Sequence, residues 1–408
     1  MRTRSIVFLI LCLLTIVVVP LQKAEAKSNK DMVVLGIERI DDYAKIFAGK
    51  RVGLITNQTG VDHNLKSSVD LLRTKVQLQA VFVPEHGLFG AATAGDDVKN
   101  DKYEGIEVRS LYGDTKRPTK DMLADIDVLA FDIQDVGTRH YTYVSTMAYA
   151  MEACAKEGKK FIVFDRPNPL GGNYEGPTLK NGFESFIGLY NVPLRHGLTV
   201  GEYARFINKE YQIGADLAVI PMKNWTREML FEKTGLPWIA TSPNIPTETS
   251  AFCYAATGIV GDMNISVGIG TTKPFEYVGA PWLDKMDFAA KLNSLQMPGV
   301  IFRPIAFMPN YGMYAGELCQ GVQMHITDKR SFQPAHVGAQ MVRILMKDYP
   351  QKDLFPKRSS DGFKIDIALG ESSLRYAEIP LEDIFNRWDR ENTYFAEKVQ
   401  PYLLYPLK

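Results

Sequence analysis

The chain has 408 residues, 46% of them hydrophobic, and its 47 basic side chains are matched by 47 acidic ones. That balance supplies neither a basic field for nucleic acid nor an acidic tail, and at this length two domains are expected. Six histidines and four cysteines, with no C-x-x-C or H-E-x-x-H spacing, argue against a dedicated zinc site and a disulfide framework; no metal and no cofactor are expected.

Arg2 and Arg4 precede the apolar run Ile6 to Val19, and Ala24-Glu25-Ala26 follows it. This is the pattern of a secretory signal peptide over residues 1–26, cleaved near Ala26. At 14 residues the run falls short of the roughly 20 that a membrane helix needs. The remaining chain, with a formal charge of −2, is expected to be secreted, extracellular or associated with the cell wall, and to carry no membrane span.

Next comes an alternation of strands and helices. Arg51 to Thr56 (RVGLIT) is a short apolar strand, Leu65 to Thr74 an amphipathic helix, and Gln77 to Val83 a second strand. Asp127 to Ile133 (DVLAFDI) is a third strand, Tyr143 to Glu157 a helix closed by Gly158, and Lys160 to Asp165 (KFIVFD) a fourth strand. Strands apolar throughout and separated by helices imply a parallel sheet covered on both faces. Thr199-Val200-Gly201-Glu202 is a capping box opening a further helix. The predicted fold is α/β: a Rossmann-like parallel-sheet domain over 27–240, then a smaller α+β lid domain over 241–408, joined at the rigid SPNIP segment Ser242 to Pro246.

Right-handed crossovers set the carboxyl ends of parallel strands along one edge, where ligand crevices of open α/β sheets lie. Four strand ends deliver polar groups there: Asn57 and Gln58; Glu85 and His86; Gln134, Asp135, Arg139 and Tyr141; Arg166 and Asn168. Glu85 follows an apolar strand and the Pro84 turn, a desolvating setting that suits a general acid, although capping of backbone amides is an equally common role for such a carboxylate. Asp132, Asp135 and Arg139 suit an ion-pair network, or Arg139 a bidentate carboxylate clamp. His196, ahead of the capping box, belongs with the site. His63 and His336 fit solvated loops, and His325 fits a structural place in an alternating strand. Signatures of other chemistries are missing: no G-x-S-x-G, S-x-x-K, Walker A loop or G-x-G-x-x-G occurs.

On these residues the chain resembles the exo-β-N-acetylmuramidase family. The resemblance is carried by GLITNQTG (Gly53 to Gly60), VPEHGLFG (Val83 to Gly90), FDIQDVGTRHYTY (Phe131 to Tyr143), FDRPNPLGG (Phe164 to Gly172), RHGLTVGE, SPNIPT (Ser242 to Thr247), GTTKPFE with GAPW, and CQGVQMHITD. It implies a glycoside hydrolase that removes terminal non-reducing N-acetylmuramic acid (MurNAc) from peptidoglycan fragments, acting on muropeptides or MurNAc-GlcNAc oligosaccharides, with Glu85 at the family's glutamate. Val267 and Ile269 stand where some members carry Glu and Arg. The MurNAc lactyl carboxylate calls for a cation, for which Arg139, Arg166 and Lys273 are candidates. Tyr141, Tyr143, Phe275 and Trp282 are candidate ring platforms, and Asn244 a polar contact. Asp132, Asp135 and Glu276 compete to be the second carboxylate that glycosidases usually need, with His86 orienting. A non-catalytic secreted sugar or muropeptide binding protein is the alternative, and the oligomeric state is open.

Overall fold

A computed structural model describes residues 32–359 and 362–407, so the leader expected over 1–26 lies outside the described residues. The strands among the described residues are β1 (Arg51–Thr56), β2 (Gln77–Val83), β3 (Asp101–Tyr103), β4 (Ile106–Ser110), β5 (Val128–Asp132), β6 (Lys160–Phe164), β7 (Glu175–Thr178), β8 (Pro193–Arg195), β9 (Asp216–Ile220), β10 (Tyr277–Ala280), β11 (Val300–Phe307), β12 (Cys319–Ile326), β13 (Lys357–Ser359) and β14 (Gly362–Phe363). Seven of them form one sheet in the order β3-β4-β2-β1-β5-β6-β9. Every pairing in it is parallel except β3 with β4.

Successive side chains of a strand point to opposite faces, and here both faces are apolar. Ala80, Phe82, Leu129 and Phe131 join a core on one side that includes Val144, Met147 and Met151 of the helix Tyr143–Lys156. Val52, Leu54, Val81, Val83, Val128 and Ala130 join a core on the other side, with Val33, Leu35 and Phe47. This two-sided burial is why the strands are continuous apolar runs.

The helix expected over Leu65 to Thr74 is shorter, Ser68–Arg73. Leu65 is exposed at φ +66° and lies outside it, and the Ser67 hydroxyl caps the helix by accepting the Asp70 N–H at 3.0 Å. The Thr199 capping box is present on the helix Val200–Glu210. Glu202 is wholly buried and bound by both oxygens to Arg227 at 2.8 and 2.7 Å, a structural role.

Beyond the SPNIP segment the smaller region is built on an antiparallel sheet, β10-β12-β11, with the helices Glu248–Thr257 and Lys285–Ser294 against it, Pro334–Asp348 packed on both helices, and Leu381–Val399 packed on β7. Its inward side chains, such as Val278, Phe302 and Met324, continue the first of the two cores. His336 is not in a solvated loop. It sits half-buried in the first turn of the helix Pro334–Asp348, with Nδ1 3.0 Å from Glu175. Cys154, Cys253 and Cys319 are buried and free, and no helix among the described residues is long and apolar enough to cross a membrane.

Candidate active site

From β1 the chain moves outward to β2 and β4, then returns to place β5 on the other flank of β1. The reversal makes the carboxyl ends of β1 and β5 the topological switch point, the position at which open α/β sheets bind ligands. Asn57 follows β1 and Gln134 and Asp135 follow β5, so they flank this switch point. Glu85, at the end of neighbouring β2, overlooks it.

The turn carrying Glu85 is tightly held. His86 adopts φ +73°, unusual for a residue with a side chain, and is fixed by Nδ1 donating to the Ala92 carbonyl at 2.7 Å. Such backbone strain persists where the surroundings over-determine it, as at active sites. The Glu85 carboxylate accepts the Gly95 N–H at 3.0 Å and the Thr142 hydroxyl at 2.8 Å, at the start of the helix Tyr143–Lys156. A third neighbour is Tyr112, since β2 and β4 pair Val83 with Ser110 and each chain then runs two residues further. Burial first, and the Glu85 charge second, push the Tyr112 phenol above its usual range.

Asp135 sits across a group of tyrosines from Glu85. Tyr141 packs edge-on to Tyr143 and Tyr254, at 4.9 and 5.7 Å between centroids, and both carboxylates act electrostatically on Tyr143 and Tyr254. The Tyr141 and Tyr143 hydroxyls donate to Thr241, at 3.0 and 2.6 Å, tying the helix start to the segment leading into the smaller region. Oδ1 of Asp135 accepts the Gly137 N–H at 2.7 Å, while Oδ2 is buried without a hydrogen-bond partner among the described residues. His196 Nδ1 accepts the Leu198 N–H at 3.2 Å, so its proton lies on Nε2, 4.0 Å from Asp135. Burial, then the charges of Arg139 and Arg227, bring His196 down to about 3 and keep it neutral; burial raises Asp135 to about 7.

That shift has a measurable consequence. The unfolded chain loses the Asp135 proton near 3.8 and the folded one near 7, so stability is full below pH 3.8 and declines as pH rises to 7. Asp135→Asn is therefore expected to raise stability by about 1 kcal/mol or more at pH 7.5 and to change it little at pH 4, in urea unfolding at both pH values. An equal gain at both would refute the assignment.

Other candidates are committed elsewhere. Asp132 is wholly buried and bound by Arg166 at 2.6 and 2.8 Å and by the Ser68 hydroxyl. Arg166 also donates to the Val61 carbonyl at 2.9 Å, so this cation is not left for a ligand. Arg139 is neither a carboxylate clamp nor part of a network with Asp132 and Asp135. It lies in the interior, its guanidinium donating to the carbonyls of Pro177 and Val192, both at 2.8 Å, and of Ala368 and Leu369 at a helix end. Lys273, half exposed, pairs with the buried Glu276 at 3.1 Å, which commits the Glu276 carboxylate to a cation.

Gln134 and Asn168 brace backbone: Gln134 Nε2 reaches the Asp135 and Pro167 carbonyls, and Asn168 Nδ2 the Leu198 carbonyl. Gln58 does the same toward Ala240 and Thr241. Asn57 Oδ1 closes a turn with Thr59, leaving Nδ2 buried and unpartnered among the described residues. Asn244 accepts the Tyr311 hydroxyl at 2.9 Å, and Tyr311 is half exposed. Tyr143 is interior and no platform for a sugar; Phe275 is buried against Tyr254, and Trp282, half-buried, packs on Tyr349. Thr142, Tyr112 and Tyr254 were not singled out in the sequence. Of these, Thr142 lies inside the FDIQDVGTRHYTY stretch, and Tyr112 follows the alternating IEVRS of β4.

The chain that carries these residues is matched by known proteins along nearly its whole length. The family models "Exo-beta-N-acetylmuramidase NamZ, N-terminal" and "C-terminal" match residues 52–249 and 252–405. The chain belongs to the exo-β-N-acetylmuramidase NamZ family. A relative from Bacillus subtilis (strain 168), "Peptidoglycan beta-N-acetylmuramidase NamZ", is 46% identical over 391 residues, covering 93% of this chain and 92% of its own. Two crystal structures of DUF1343 family proteins from Bacteroides fragilis NCTC 9343 share the fold of this NamZ-family chain. One is 40% identical with a TM-score of 0.84, the other 28% with 0.73, and each match covers 92% of this chain and 99% of the other.

Proposed function

We propose that this chain is an exo-acting β-N-acetylmuramidase, a glycoside hydrolase that removes terminal non-reducing MurNAc from peptidoglycan fragments in cell-wall turnover. Family membership supports the reaction, and the observation that carries it to named residues is the Glu85 turn. A carboxylate is held there at a strand end, on the edge that carries the switch point, by a backbone N–H and a threonine hydroxyl. Glu85 is the general acid, holding the proton that passes to the glycosidic oxygen as GlcNAc leaves.

Asp135 is the second carboxylate, because Asp132 and Glu276 are bound to cations. Its buried carboxyl titrates near 7, where a general base works best at neutral pH, and His196 Nε2–H faces it. The expected signature is a rise in kcat/KM with a midpoint near pH 7 that disappears in Asp135→Asn. His86 orients the turn rather than reacting. The exported location expected from the leader remains part of this proposal, as do MurNAc-GlcNAc oligosaccharides and muropeptides as the substrates.

The exo mode is tested with two tetrasaccharides, one ending in MurNAc and one in GlcNAc at the non-reducing end. The first should yield one MurNAc and a trisaccharide, and the second should stay intact. Internal cleavage of either would overturn the reading.

A further inference from the structure

A terminal MurNAc that bears no stem peptide carries a negative charge on its lactyl group, yet the cations first expected to meet it are occupied. Arg139 serves backbone carbonyls, Arg166 serves Asp132, and Lys273 serves Glu276. One other cation lies beside the Glu85 turn. Lys116 Nζ sits 4.6 Å from the centre of the Tyr112 ring and 4.3 Å from that of Phe186. Among the described residues it forms no ion pair.

Its position relative to Glu85 is fixed twice over. Strand register sets Tyr112 alongside Glu85, and the Leu111 N–H donates to the Val83 carbonyl at 2.8 Å just before that turn. From the other direction, Thr142 binds Glu85, and Tyr149 lies seven residues on, two turns along the same helix face. Tyr149 packs on Phe186 at 5.6 Å, and Phe186 on Tyr112 at 6.1 Å. Lys116 thus stands on a half-exposed aromatic shelf that begins at the catalytic carboxylate. A ring pair restrains an ammonium by cation–π attraction without neutralising it, so the full charge stays available to an anion.

We propose that Lys116, propped on Tyr112 and Phe186, is the specificity residue that receives the lactyl carboxylate of the terminal MurNAc. The assignment rests on the exo-muramidase reading. It makes Lys116 a binding residue that separates an anionic MurNAc from a neutral sugar in the same position.

The test compares MurNAc-GlcNAc with its lactyl N-methylamide, which keeps the shape and removes the charge, in wild type, Lys116→Met and Lys116→Arg. Wild type should prefer the acid by about 10- to 100-fold in kcat/KM, the usual reach of one charge-assisted contact. Lys116→Met should lose that preference through KM, with kcat and turnover of the amide nearly unchanged, and Lys116→Arg should retain most of it. A preference that survives in Lys116→Met overturns the proposal, and so does an equal loss on both substrates, which marks a structural role. Calorimetric titration of the same proteins with MurNAc and its methylamide reads the contact without turnover. If wild type cleaves neither disaccharide, the muramidase reading fails, and the titration still decides Lys116: discrimination lost in Lys116→Met supports it, and discrimination kept refutes it.

Discussion

Glu85→Gln should lower kcat on a MurNAc-GlcNAc disaccharide by about a thousandfold or more, within the range for removal of a general acid, while substrate affinity changes less than about threefold. The amide keeps the size of the carboxyl group: its oxygen still accepts the Gly95 N–H, and its NH2, standing where Oε2 was, donates to the Thr142 hydroxyl oxygen. The turn therefore stays in place, and only the transferable proton is lost. Calorimetry on the variant gives the affinity, and steady-state kinetics gives the rate. A variant that binds tenfold worse yet turns over normally would make Glu85 a sugar-binding group.

Arg139→Met should cost about 3–5 kcal/mol of stability and leave catalysis by the folded fraction nearly intact. Four carbonyls lose their donor: Pro177, Val192, and Ala368 and Leu369 at the end of the helix Lys364–Leu369. The next residue, Gly370, has φ +80°, and a side chain there would run into the Arg139 guanidinium, so chain and cation fit each other. Burial alone brings the arginine down to about 10, a sign of how little water reaches it. Urea unfolding and kcat/KM measured at low temperature separate the alternatives. A carboxylate clamp would show the reverse pattern, a large rise in KM with stability unchanged.

The contrast between these two residues shows what was legible in the sequence. Glu85 could be placed because its surroundings are local: an apolar strand, a proline, a turn, and a parallel-sheet edge that collects strand ends. The central strands could be placed for the same reason, since burial on both faces makes RVGLIT and KFIVFD apolar without interruption. The outer strands β4, next to the edge, and β9, at the other edge, carry Glu107, Arg109 and Asp216 and are only partly buried, so they stand out less.

The roles of the cations were not legible. Arg139 meets carbonyls 38 to 230 residues away, and nothing in the composition of GTRHY distinguishes a backbone brace from a ligand clamp. Arg166 and Asp132, 34 residues apart, find each other only when β5 and β6 align. Lys116 lies in a polar loop and acquires its setting from Phe186, which is distant in sequence and close only in the fold.

The most direct measurement of the central claim is mass spectrometry of MurNAc-GlcNAc incubated with the purified protein. The account predicts free MurNAc and free GlcNAc in equal amounts, increasing with time. An intact disaccharide that nevertheless binds, seen calorimetrically on the same preparation, would contradict it and make the protein a sugar receptor.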